Sequence, residues 1–196
     1  MTVENHPGAG ATAGPAIALF GKLGNATSGS IGQLAFIELQ RRSDQRLAWN
    51  RRNYAKGGYL GVVDDEAVDR MIDSIATAPS PEAEFYVLQL GGAVADFDDT
   101  ATPYAGRAAG HYWIAQTAWD QEQDDTKSLQ WTRHAAARLT EISMSGNYVD
   151  EQADFGNDIA RRAYGETKYA RLAQLKAQFD PDNLFRLNQN IEPRRR

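Results

Sequence analysis

"HYWIAQTAW", His111–Trp119, decides how the surrounding chain is read. Its aromatic and β-branched residues mark a strand. Strand alternation puts Trp113, Ala115, Thr117 and Trp119 on one side, and Tyr112, Ile114, Gln116 and Ala118 on the other. Both sides are too apolar to be left in water. A large ligand, a partner domain, or a helix on each face would each account for that.

Downstream, the acidic loop "DQEQDD" (Asp120–Asp125) leads into "TKSLQWTRHAAARLTEIS", a strongly amphipathic helix. Upstream, "SPEAEFYVLQLGG" (Ser80–Gly92) breaks a preceding element with prolines and enters a strand that ends on two glycines. That preceding element, "DDEAVDRMIDSIATA" (Asp64–Ala78), reads as a helix with an Asp cap and Val68, Met71, Ile72 and Ile75 at helical spacing. "GGYLGVV" (Gly57–Val63) and "LAFIELQRR" (Leu34–Arg42) read as earlier strands. A last helix is expected from about Asn157 to Gln178, with one glycine inside it. Strands that follow one another without a helix between them pair antiparallel, so the fold expected is α+β. It has an antiparallel or mixed sheet with helices mainly on one face. Three regions are expected: a flexible Gly/Ala-rich tail over 1–30, an α+β domain over 31–156 and a C-terminal segment over 157–196.

Composition narrows the function. The 196 residues carry a net charge of −5 and are 42% hydrophobic and 24% charged. An acidic balance argues against a general nucleic-acid binder, and the closing Arg194, Arg195 and Arg196 are too short a run to reverse it. No stretch approaches a membrane span, so no membrane partner and a cytoplasmic location are expected. Cysteine is absent, which excludes disulfides and thiolate chemistry. The three histidines have no carboxylate at ligand spacing, so no metal site is expected. His111, at a strand start, could serve as a base or simply end the strand.

The C-terminal stretch "AYGETKYARLAQLKAQFDPDNLFRLNQNIEP" (Ala163–Pro193) closely resembles the C-terminal signature of the berberine-bridge-enzyme-like family of FAD-linked oxidases. "LQLGGAVADFDDTATPYAGR" (Leu88–Arg107) and "GNYVD" (Gly146–Asp150) resemble earlier steps of the same family, with Asp150 where the family usually has Asn. The resemblance covers roughly Phe36 to Pro193. It implies the substrate domain of such an oxidase, FAD as cofactor and a small alcohol, amine or sugar-like substrate. It also implies hydride transfer from substrate carbon to flavin, assisted by a base that takes the substrate proton. The family's dinucleotide cradle lies in a domain that this sequence is not expected to contain. FAD binding by this chain alone is therefore expected to be weak or absent. A flavin-binding domain or subunit, or a second copy of the chain, is the expected macromolecular partner.

The same resemblance assigns residues. Tyr148 falls on the family's Gly-x-Tyr step and is the first candidate base, its phenol lowered by a cationic neighbour. The alternative is a packed tyrosine with a satisfied hydroxyl. Lys56, in "YAKGGYL", is the second candidate, where some relatives present a lysine to substrate; the alternative is a solvated lysine beside a turn. Glycines after it would let the backbone approach a ligand. Asp150, Asn188, Gln189 and Asn190 are the candidate cofactor contacts. The three closing amides suit the carbonyl and N–H edges of a neutral ring, or the backbone of a flavin domain, or the local turn. Asp150 would repel a reduced, anionic flavin. A non-catalytic binding module or structural remnant of such an oxidase is the rival reading.

Overall fold

The computed structural model describes residues 14, 18, 34–42, 44, 45, 48–154 and 156–194. The chain divides into two compact units, Met1–Asp44 and Gln45–Arg196. The tail expected over 1–30 lies, apart from residues 14 and 18, outside the described residues.

In the first unit, the stretch read as the opening strand is a helix instead: α1, Phe36–Arg41. Glu38, Leu39, Gln40 and Arg41 are all good helix formers, and only Ile37 is β-branched. The Glu38 carboxylate accepts from the Ala35 N–H at 3.2 Å and so closes the first turn.

The second unit is built on β1 (Arg52–Leu60), α2 (Asp65–Ile75), β2 (Glu84–Gln89), β3 (His111–Trp119), α3 (Asp125–Thr140) and α4 (Asn157–Phe179). Its sheet has the order β1-β3-β2 with both pairings antiparallel. The His111–Trp119 stretch is therefore the central strand, which is why it had to be apolar on both sides.

One face is covered by helices. Helix α3 buries Ser128, Trp131, Thr132, Ala135, Ala136 and Leu139, a stripe recurring at three and four residues. With Ala67 of α2, this stripe packs on Leu60, Trp113 and Ala115 of the sheet. The indole N–H groups find acceptors: Trp113 on Ser143 Oγ (2.9 Å), Trp119 on Asp125 Oδ1 (2.6 Å) and Trp131 on the Ser74 carbonyl (2.8 Å). The cap read for α2 is present, Asp64 Oδ1 accepting from the Ala67 N–H at 3.0 Å.

The opposite face carries Tyr59, Tyr112 and Ile114. It is packed by Leu90, Ala105 and Ala109 from the connection between β2 and β3. The long final helix breaks at Gly165, where φ is 73°. Only glycine takes that conformation cheaply, so the Ala-Tyr-Gly step in the sequence is a kink between two helical arms.

Candidate functional site

The site forms on the sheet face away from α2 and α3. Register places Tyr59 of β1 opposite Tyr112 of β3. Their rings lie 5.0 Å apart, with Tyr104 edge-on to Tyr59 at 6.3 Å and Tyr148 edge-on to Tyr112 at 6.3 Å. Four tyrosines thus make one continuous aromatic surface. Tyr59 and Tyr112 are buried, while Tyr148 is 40% exposed and forms the open rim.

Two glycines allow this. Gly146 has φ of 91°, and a side chain there would crowd Ala105 Cβ and the Ala163 carbonyl, both 3.3 Å away. It turns the chain so that Tyr148 lands over Tyr112. At Gly57 a Cβ would sit 2.4 Å from the Tyr112 hydroxyl oxygen. The glycines following Lys56 therefore make room for the protein's own aromatics: Gly57 for Tyr112 and Gly58 for the Trp113 indole, 2.9 Å from where its Cβ would be.

The electrostatics differ from the expectation for Tyr148. Its phenol is pushed above the ordinary tyrosine value, first by hydrogen bonding to Asp150 and then by the charges of Asp150 and Glu151. The charges that act on it are carboxylates, not a cation, so the lowering expected from the sequence is reversed. Burial raises Tyr59 and Tyr112 as well, and Glu151 adds to the effect on Tyr112. At neutral pH these phenols carry their protons.

Lys56 is placed elsewhere. It pairs in register with Ala115, on the helix-covered face, whereas Tyr148 stands over Tyr112 on the other. Its ammonium meets Asp154 Oδ2 at 2.6 Å. The other Asp154 oxygen accepts from the Tyr54 hydroxyl at 2.7 Å, and that hydroxyl accepts from Arg133 Nε at 3.2 Å. Burial works against the Asp154 charge, but the hydrogen bonds from Lys56 and Tyr54 outweigh it and hold its pKa below the usual carboxylate range. The two residues picked as bases are on opposite sides of one sheet, and Lys56 serves an ion-pair network.

The closing amides meet the segment that follows Tyr148. Gln189 Nε2 donates to the Asp154 carbonyl at 2.8 Å, so this side chain is committed to the protein itself. Asn188 has φ of 60° and is exposed. The side-chain oxygens of Gln189 and Asn190 are buried with no hydrogen-bond partner among the described residues. Asn188 is exposed, Asn190 holds a buried, unmet acceptor, and Gln189 ties the amide run to the segment that follows Tyr148. Asp150 stands at the rim beside Tyr148.

Sequence reading missed Asn147, Tyr112, Tyr59 and Tyr104. For Tyr112 the signal was present, since strand alternation had already separated it from the tryptophans. Asn147 had none beyond its place before Tyr148.

Against known proteins, the berberine and berberine-like family matches residues 146–192, which contain Tyr148, Asp150 and the closing amides. An uncharacterized FAD-linked oxidoreductase of Bacillus subtilis, YvdP, is 27% identical over 131 residues, covering 67% of this chain and 29% of its own length. An FAD-linked oxidoreductase of Dictyostelium discoideum is 24% identical over 165 residues, covering 83% of this chain and 36% of its own. Among solved structures, 6-hydroxy-D-nicotine oxidase from Arthrobacter nicotinovorans superposes with a TM-score of 0.74 at 21% identity, over 96% of this chain and 43% of that one. Berberine bridge enzyme from Eschscholzia californica gives 0.64 at 18% identity, over 80% and 36%. At such identities the superpositions speak for the fold. The chain spans between 29% and 43% of the length of these relatives. The matched segment and the FAD-linked relatives together support a berberine-bridge-enzyme-like family of FAD-linked oxidases as the one this chain resembles.

Proposed function

We propose that this chain supplies the substrate-binding face and C-terminal segment of an FAD-dependent oxidoreductase acting on a small alcohol, amine or sugar-like substrate. The observation that carries the reading is Tyr148: a half-open phenol on the rim of an aromatic surface, beside a carboxylate, inside the segment that matches the family. When bound, the flavin supplies the acceptor for the hydride leaving the substrate carbon. The chain's own task is the proton. Substrate lies against the Tyr148 rim, and the Tyr148 oxygen accepts the hydroxyl or amine proton as its own proton passes to Asp150. A phenol held protonated at rest is suited to this exchange, because no free tyrosinate has to be maintained. Tyr112 and Tyr59 form the dry floor that keeps bulk water from the reacting atoms. Asn188 and Asn190 would meet the ring edge.

The flavin is held by a domain or subunit that packs on the C-terminal loop. Phe179, Leu184, Phe185 and Leu187 stand 76%, 74%, 82% and 84% exposed there. The loop is nonetheless firmly built: Asp180 accepts from the Leu184 and Phe185 N–H groups at 2.7 and 3.1 Å and pairs with Lys176 at 2.5 Å. A rigid loop that presents large apolar side chains to water is a docking surface. The experiment is calorimetric titration of the purified chain with FAD. No binding in the sub-micromolar range is expected, and tight binding would show that the flavin cradle lies within these residues.

A further inference from the structure

Asn147 is wired more heavily than any neighbour of Tyr148. Its side-chain oxygen accepts from the Tyr112 hydroxyl at 2.8 Å and from the Tyr148 N–H at 2.7 Å. Its side-chain nitrogen donates to the Gly57 carbonyl at 2.7 Å. Its backbone N–H donates to the Ala163 carbonyl at 3.2 Å. The side-chain amide therefore joins β1, β3 and the backbone of Tyr148, and the residue's backbone N–H ties it to the first arm of α4. Both acceptor positions are filled and one N–H is used, which fixes which way the amide faces. The absent side chain at Gly57 is part of the device, since a Cβ there would occupy the place of the Tyr112 hydroxyl.

We infer that Asn147 is a positioning residue for Tyr148. By gripping the Tyr148 N–H and the Tyr112 hydroxyl with one oxygen, it fixes the phenol on the rim, edge-on to Tyr112. Without it Tyr148 would keep its ring contact with Tyr112 and the Glu151 N–H on its carbonyl, but its own N–H would lose its grip. A group that must meet a substrate within hydrogen-bond reach cannot work from a wandering tip. This rests on the reading of Tyr148 as the proton-transfer group. Its test does not depend on turnover, so the two can fail separately.

The test is amide hydrogen exchange on the purified chain, followed by NMR at Tyr148 and, as an internal reference, at Ala115 in the central strand. Asn147→Ala removes all three side-chain bonds, and the Tyr148 amide should exchange about tenfold faster or more, the worth of a lost hydrogen bond, while Ala115 changes far less. Asn147→Asp keeps the oxygen that accepts from Tyr148 and Tyr112 and should leave Tyr148 protected within about threefold of the parent. Equal acceleration at Tyr148 and Ala115 in Asn147→Ala would mark a general structural role and overturn the inference, as would unchanged exchange at Tyr148. Should Asn147→Ala fail to fold, Asn147→Asp decides: retained protection supports the assignment, and lost protection ends it.

Discussion

Gly57→Ala tests whether the aromatic face is assembled as described. The added Cβ would lie 2.4 Å from the Tyr112 hydroxyl oxygen and 2.7 Å from the Trp113 carbonyl oxygen. The first is the far end of a side chain and can swing; the second is backbone of the central strand and cannot. Overpacking of this kind costs about 1–3 kcal/mol. Replacing glycine with alanine in extended backbone returns about 0.4–1 kcal/mol by stiffening the unfolded chain. The net loss is then about 1–2 kcal/mol. At about 2–4 °C per kcal/mol for a chain of this size, Tm should fall by about 2–8 °C, read by circular dichroism. Gly61→Ala is the control: its Cβ would meet only Met144 Sδ, at 3.9 Å, and its φ is not in the left-handed range. It should hold or raise Tm. If Gly57→Ala melts at or above Gly61→Ala, the close approach of β1 to Tyr112 is not as described.

Leu139→Ala empties a fully buried position between α3 and the sheet and should cost about 2–5 kcal/mol in urea denaturation. Asp154 has a folded-state pKa below its unfolded value, so its contribution to stability is present above the unfolded carboxylate pKa, about 4, and is lost as pH falls through the folded one. Asp154→Asn should therefore flatten the stability curve below about pH 4 and cost about 1–2 kcal/mol at neutral pH, a charged hydrogen-bond loss reduced for partial exposure. Asp150→Asn removes the main cause that raises the Tyr148 phenol, whose titration, followed by carbon-13 NMR of the ring, should move down toward the free value of about 10.

What the sequence made legible was whatever repeats with a period. The α3 stripe and the two faces of His111–Trp119 follow from spacing alone, and they carry the sheet and its helical cover. Phe36–Arg41 went the other way because a short apolar run is ambiguous between strand and helix; the deciding feature was the Glu38 carboxylate reaching back to Ala35. The site was legible only as residue types. Tyr148 and Asp150 lie two residues apart in sequence and stay close in space. Lys56 and Tyr148 are far apart in sequence, and which sheet face each took depended on strand register, which local pattern does not state. The sign of the Tyr148 shift likewise depended on which charges the fold gathers, here Asp150 and Glu151.

The most direct measurement of the central claim is flavin reduction in a single turnover, followed by stopped-flow absorbance, in a protein that joins this chain to a flavin-binding domain. Tyr148→Phe keeps the ring and removes the oxygen proposed to handle the proton. The reduction rate should fall by about two to four powers of ten, with substrate affinity changed far less. A rate within threefold of the parent would contradict it and leave Tyr148 as a packing residue on the rim.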